Sequence, residues 1–186
     1  MDDIVKQALA KWPNVPDCYG WLGLDARGNW YMRDDGAQAA GPFARGSLAS
    51  KGSLLKHDKL IEFIQRNYSV DAMGQWFFQN GPQRVFVELE ATPWIWRINR
   101  TPAGDFIVTS HADSAATVTR CVLDETGRVY LETDLGFGLV HTQDVALAAD
   151  AVEAGHWLPQ EVASSELAGQ FGYVASPQAL QNRMLL

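Results

Sequence analysis

Four histidines, two cysteines and a scatter of serines and carboxylates are the residues of this chain with chemistry to offer. The segment "GFGLVHTQDV" brings two of them close together. His141 and Asp144 stand at a predicted helix start, where His141 can serve a ligand as hydrogen-bond donor or base. The same segment has a structural reading. Thr142 suits an N-cap, and Asp144 favours the positive end of a helix. His111-Ala112-Asp113 ends a predicted strand, and alternation sends His111 and Asp113 to one side. Two potential ligands do not make a metal centre, and neither Cys18 nor Cys121 has zinc-site spacing, so no metal and no cofactor is expected. His57 falls near the predicted buried stripe of a helix. His156 follows Gly155, a helix stop, where a cation suits the helix C-terminus.

Other arrangements fail on spacing. The serines of "ARGSLASKGS" have no base identifiable in sequence, and no GxSxG elbow exists. That loop also misses the phosphate-binding GxxxxGK[ST] pattern, because Lys51 precedes Gly52. "GFGLVH" lacks the third glycine and the βαβ unit of a dinucleotide site. Asp34 and Asp35, adjacent at a strand end, point apart and suit a turn. The catalytic candidates therefore reduce to His141, Asp144, His111 and Asp113. An enzyme, of small-hydrolase type, would have to bring them into one cleft.

The secondary structure around these residues follows from periodicity. Residues 3–12 read as a helix ended by Pro13, with Asp2 or Asp3 as its cap. Arg27-Gly28-Asn29 is a hairpin signal. Residues 36–53, rich in Gly, Ala and Ser, read as a long, mobile loop. A second helix is predicted over 54–67, capped by Ser53, with Leu60, Ile61 and Ile64 inward. From residue 75 the period becomes 2, giving strands near 75–80, 84–91, 94–100, 105–110, 117–124 and 127–134. Short turns between them predict an antiparallel meander. A helix over 143–154 presents Val145, Ala148, Ala149 and Val152 on one face, and Ser176-Pro177 can start a terminal helix.

The stretch "QWFFQNGPQRVFVELEATPWIWRI" concentrates aromatic residues among Arg and Glu. Val85, Val87 and Leu89 point opposite to Arg84, Phe86, Glu88 and Glu90, while Trp94, Trp96 and Ile98 share a face. Phe86, Trp94 and Trp96 are thus the candidates for contact with a ligand or partner. Their competing role is structural, with Trp96 above all serving the core. Stacking of single-stranded nucleic acid is opposed by Glu88 and Glu90 and by a net charge of −7. All five lysines fall within the first 59 residues, and residues 71–186 carry 6 Lys+Arg against 14 Asp+Glu.

Together, "GQWFFQNGPQRVFVELEATPWIWR" and "GFGLVHTQDVALAADAV" resemble a family of uncharacterised proteobacterial proteins, a domain of unknown function. The resemblance extends over most of the chain and implies one domain; it brings no activity and no functional residues. The expectation is a single α+β domain over residues 1–186. A helical and hairpin part (1–70) precedes an antiparallel sheet (75–134) and a helix with a C-terminal tail (141–186). A curved antiparallel meander of six or more strands flanked by helices is the first architecture; a closed β-roll capped by the 143–154 helix is the alternative. No apolar run approaches the roughly 18 residues that span a bilayer. The start, "MDDIVKQALAKW", lacks the pattern of a signal peptide. With two unframed cysteines, the chain reads as cytoplasmic and non-catalytic, binding a protein or a small apolar ligand, without nucleic acid or membrane.

Overall fold

The structure, a computed structural model, describes residues 1–185. It opens with helix α1 (Asp3–Lys11), strands β1 (Cys18–Leu24) and β2 (Trp30–Met32), and short helices α2 (Asp35–Ala39) and α3 (Leu48–Lys51). Strand β3 (Ser53–Leu54), helix α4 (Asp58–Arg66) and strands β4 (Tyr68–Val70), β5 (Trp76–Asn80) and β6 (Gln83–Leu89) follow. Then come β7 (Trp94–Arg100), β8 (Phe106–Ser110), β9 (Ala115–Ala116), β10 (Val118–Leu123), β11 (Val129–Thr133) and β12 (Gly136–Val140). A 3-10 turn (Thr142–Asp144) leads into helix α5 (Val145–Glu153), strand β13 (Pro159–Glu161) and helices α6 (Leu167–Gln170) and α7 (Pro177–Met184). The fold is α+β, with two curved sheets flanked by helices. The chain divides into two compact units: Met1–Asp25, Asn29–Ala91 and the segment from Gly172 onward; and Ala26–Gly28 with Thr92–Phe171.

The first unit holds a six-stranded sheet in the order β3-β2-β1-β6-β5-β4. The hairpin predicted at Arg27-Gly28-Asn29 forms, and so does the short antiparallel turn expected between the strands near 75–80 and 84–91. Gly28 takes a φ of 84° between β1 and β2, and Gly81 a φ of 58° between β5 and β6, conformations cheap only for glycine. The sheet centre is the parallel pair β1·β6, with Leu22 opposite Val87 and Leu24 opposite Leu89. These side chains, with Trp30, Phe78 and Ile64 of α4, make the apolar core.

Two expectations for this unit need correction. Helix α4 starts at Asp58 rather than near 54, because His57 caps it, its Nδ1 accepting the Leu60 N–H at 3.3 Å. His57 is accordingly exposed, and Ser53 and Leu54 pair with β2 as a strand. Residues 36–53 are not one long loop, since α2 and α3 lie within them. Their organiser is Arg33, completely buried, whose guanidinium donates to the carbonyls of Ser50 (2.8 Å), Gly20 (3.1 Å) and Gly41 (2.6 Å). Buried carbonyls must find donors, and here one side chain closes three of them, from β1, from α3 and from the loop between α2 and α3.

The second unit holds a seven-stranded sheet in the order β13-β10-β11-β12-β7-β8-β9. Its neighbours are antiparallel except β12·β7 and β10·β13, which run parallel. Trp96 is fully buried and its indole N–H donates to the Leu131 carbonyl at 2.9 Å; that of Trp94 donates to Leu135 at 2.9 Å. Gly138 stands opposite Trp94 in the β12·β7 pair, and a Cβ there would run into the Trp96 indole nitrogen and the Trp94 carbonyl. The predicted continuous meander breaks between Leu89 and Trp94, for β6 and β7 belong to different sheets. Pro93 has no N–H to continue a ladder. Thr92 fixes the corner, its hydroxyl donating to the Trp94 carbonyl (2.7 Å) and accepting the Leu139 N–H (2.8 Å).

Candidate functional site

Helix α5 crosses the second unit with an uneven apolar face. Ala148 and Ala151 are completely buried, Val145 and Val152 half-buried, and Ala149 exposed. Alanine and valine are too short to fill the space over the sheet, so a groove of about 320 Å³ remains. Cys121 and Leu123 of β10, Val129 of β11 and Pro159 of β13 form the sheet side of this groove, and Val145, Ala149 and Val152 line it from α5. Alternation places Cys121 and Leu123 on one face of β10. Glu153, the last residue of α5, is the one ionisable lining group apart from the Cys121 thiol, which burial pushes up and keeps protonated.

The predicted chemical residues form a different picture. His141 and Asp144 do come together at the start of α5. The His141 ring is buried, and its Nδ1 accepts the Gln143 N–H at 3.2 Å, so it caps the 3-10 turn. With Nδ1 taken up as the cap of the turn, that nitrogen is engaged within the fold. Asp144 ties the turn to β7: its carboxylate accepts from Arg97 Nε at 2.6 Å and from the Ile98 N–H at 3.0 Å. Burial works to raise the Asp144 pKa, but the Arg97 and Ile98 hydrogen bonds outweigh it and hold the carboxyl below its usual range.

His111 and Asp113 sit in the turn after β8. The His111 Nδ1 accepts the Ile95 N–H at 3.3 Å, its ring lies 5.6 Å from that of Trp94, and Asp113 takes a φ of 55°. The two histidines flank β7 on opposite edges, as the Ile95 carbonyl takes the His111 N–H and the Trp96 carbonyl takes the His141 N–H. Asp34 is a cap, accepting the Ala37 N–H at 2.8 Å. Among the described residues no three of His, Cys, Asp and Glu are grouped to hold a metal ion.

Phe86, Trp94 and Trp96 all lie inside the protein. Phe86 is 1% exposed and stacks on Tyr19 with centroids 4.6 Å apart; Trp94 and Trp96 stack on each other at 5.9 Å. Exposed in the first unit, besides Trp12 at 52%, are instead Trp21, 41% accessible, and Met32, at 48%. Both border a hollow of about 250 Å³ under α4, lined further by Cys18, Leu55, Leu60 and Phe63. Nothing in the alternation of β1 marked Trp21, because a single exposed tryptophan has the same pattern as a buried one.

Over residues 1–178 the chain matches the model of a family described as "Protein of unknown function (DUF2946)". The chain belongs to this family. Among solved structures it is similar to a DUF1285 family protein from Silicibacter pomeroyi DSS-3, at 11% identity and a TM-score of 0.49, covering 81% of this chain and 84% of that one. It is also similar to a DUF1285 family protein from Shewanella baltica OS155, at 15% identity and a TM-score of 0.47, covering 70% and 91%. No curated protein matches the chain.

Proposed function

We propose that this member of the family is a non-catalytic cytoplasmic protein that binds a small apolar ligand in the groove beneath α5. The observation that carries this reading is the lining: aliphatic side chains of Leu123, Val129, Val145, Val152 and Pro159 around about 320 Å³ of open space. Small-molecule sites are concave and mostly apolar, with volumes of roughly 300–1,000 Å³. Against hydrolysis by His141 stand its capping role and the commitment of Asp144 to Arg97. The cytoplasmic assignment is supported by two unbridged cysteines and by the lack, among the described residues, of a helix long and apolar enough to cross a membrane. A protein partner is the second reading, favoured by the exposure of Trp21 and Met32 at the hollow of the first unit.

Titration with the neutral fluorophore N-phenyl-1-naphthylamine tests the first reading. Wild type should give a saturable one-site enhancement, and Ala149→Trp, which fills the groove from an exposed position, should abolish it with the circular dichroism unchanged. Absent binding, or binding unaltered in Ala149→Trp, would overturn it.

A further inference from the structure

Resting on the groove as a ligand site, we propose that its ligand is a cationic amphiphile, with a hydrocarbon body in the groove and an ammonium group at the groove's acidic end. The groove does not stop at Leu123 and Gly127. Both residues also line an adjoining hollow of about 500 Å³, whose other walls are Asp124, Glu125, Glu161, Val162 and Ala163. Glu153 adds a carboxylate within the groove itself, at the C-terminal end of α5, where the helix dipole also favours positive charge. Four carboxylates therefore line two hollows that share Leu123 and Gly127 and whose remaining surface is mostly apolar.

Their charge is not cancelled locally. Glu125 accepts from the Ser164 hydroxyl (2.5 Å) and backbone N–H (2.8 Å), neutral donors that hold its carboxyl below the usual range. Asp124 is buried, which works to raise its pKa. Hydrogen bonds from Thr126, the Arg128 N–H and the Tyr130 hydroxyl outweigh that burial and keep it lowered. Arg128 is the nearest basic residue in sequence; it is exposed, and its side chain hydrogen-bonds the Tyr130 hydroxyl. The second unit as a whole contains no lysine and five arginines against eleven Asp and Glu. An anionic amphiphile, such as a fatty acid, would bring its headgroup into this field at a cost. A neutral one gains nothing from it, whereas an ammonium group is complemented.

Displacement of bound N-phenyl-1-naphthylamine by three twelve-carbon competitors, each kept below its micellar or solubility limit, tests the assignment. Dodecyltrimethylammonium should displace the probe at about a fivefold lower concentration than 1-dodecanol, and dodecanoate should be the weakest. The cation's advantage should shrink in about 1 M salt, where charges are screened beyond roughly 3 Å. It should also shrink in the double variant Glu153→Gln, Glu161→Gln, which leaves Asp124 and Glu125 in place. If dodecanol and the cation compete equally in wild type, or dodecanoate competes best, the charge assignment is overturned while the groove remains a ligand site. If none of the three displaces the probe, the reading of the groove falls, and this inference with it.

Discussion

Arg33 and Trp96 are both completely buried, and they hold their units together in different ways. Arg33 spends its donors on three backbone carbonyls, those of Gly20 in β1, Gly41 after α2 and Ser50 in the short helix α3. Trp96 needs one hydrogen bond, to Leu131, and contributes ring area to a sheet. The contrast extends to neighbouring acids. Glu88 of the first unit is buried among the Ser176 hydroxyl (2.5 Å), the Gln178 N–H (2.9 Å) and the field of Arg33. Asp144 of the second is paired directly with Arg97. Polar closure thus organises the irregular part of the first unit, and aromatic packing fills the second. With Trp94, Trp96, Tyr130 and Phe137 supplying buried area, α5 can carry small residues without collapse, and the groove results.

The largest expected effect is on the aromatic side. Trp96→Ala should destabilise the second unit by about 3–5 kcal/mol, read from thermal or urea unfolding. An unchanged melting temperature would remove the tryptophan pair from its place at the centre of that core. On the polar side, Arg33→Met keeps the bulk and deletes the donors. It should cost about 2–3 kcal/mol, with hydrogen exchange rising first in α2 and α3 as the Ser50 and Gly41 carbonyls lose their partner. Uniform loss across the first unit, with no local signature, would show that Arg33 does not organise this segment.

How much of this contrast the sequence reveals depends on how local each cause is. The β5–β6 hairpin was readable from Asn80-Gly81-Pro82, and β7, β8, β10 and β11 from their alternation, because turn chemistry and period are short-range properties. The parallel pairs β1·β6, β7·β12 and β10·β13 join segments far apart in sequence and leave no local mark. The sheet change at Thr92-Pro93 was hidden for the same reason, since a turn and a corner carry similar residues. Arg33 looked like any strand-end arginine until three carbonyls were placed around it. Val145, Ala148, Ala149 and Val152 were correctly put on one helix face, but periodicity reports which face is apolar, not whether anything covers it. At the start of α5 His141 and Asp144 stand together, and each makes hydrogen bonds that hold the turn, which the spacing of the segment does not reveal.

The pH dependence separates the two units more finely. Burial raises the Glu88 pKa above its ordinary 4.5, against the hydrogen bonds that lower it. Its contribution to folding is therefore fully present below about 4.5 and is lost as pH rises through the folded value. Asp144 runs the other way. Lowered from 3.8, it contributes above that pH and loses its contribution as pH falls through the folded value. Hydrogen exchange on β6 and β7 amides, corrected for intrinsic rates between about pH 3 and 6, should give opposite slopes for the two strands. Glu88→Gln should flatten the β6 profile alone. A β6 profile that persists in Glu88→Gln would assign the slope to another group. The smallest effect is expected at the groove itself, where Ala149→Trp should change stability by less than about 0.5 kcal/mol, as for most exposed substitutions. A larger loss would mean that the space is needed for packing rather than for a ligand.

The most direct test of the groove as the ligand site is a methyl-resolved NMR titration with N-phenyl-1-naphthylamine, because each unit has its own hollow and its own reporters. Saturable shifts are expected at Leu123, Val129, Val145 and Val152, with Leu22, Leu55, Leu60 and Val85 of the first unit unmoved. Shifts confined to the first-unit methyls, or none in either set, would contradict it.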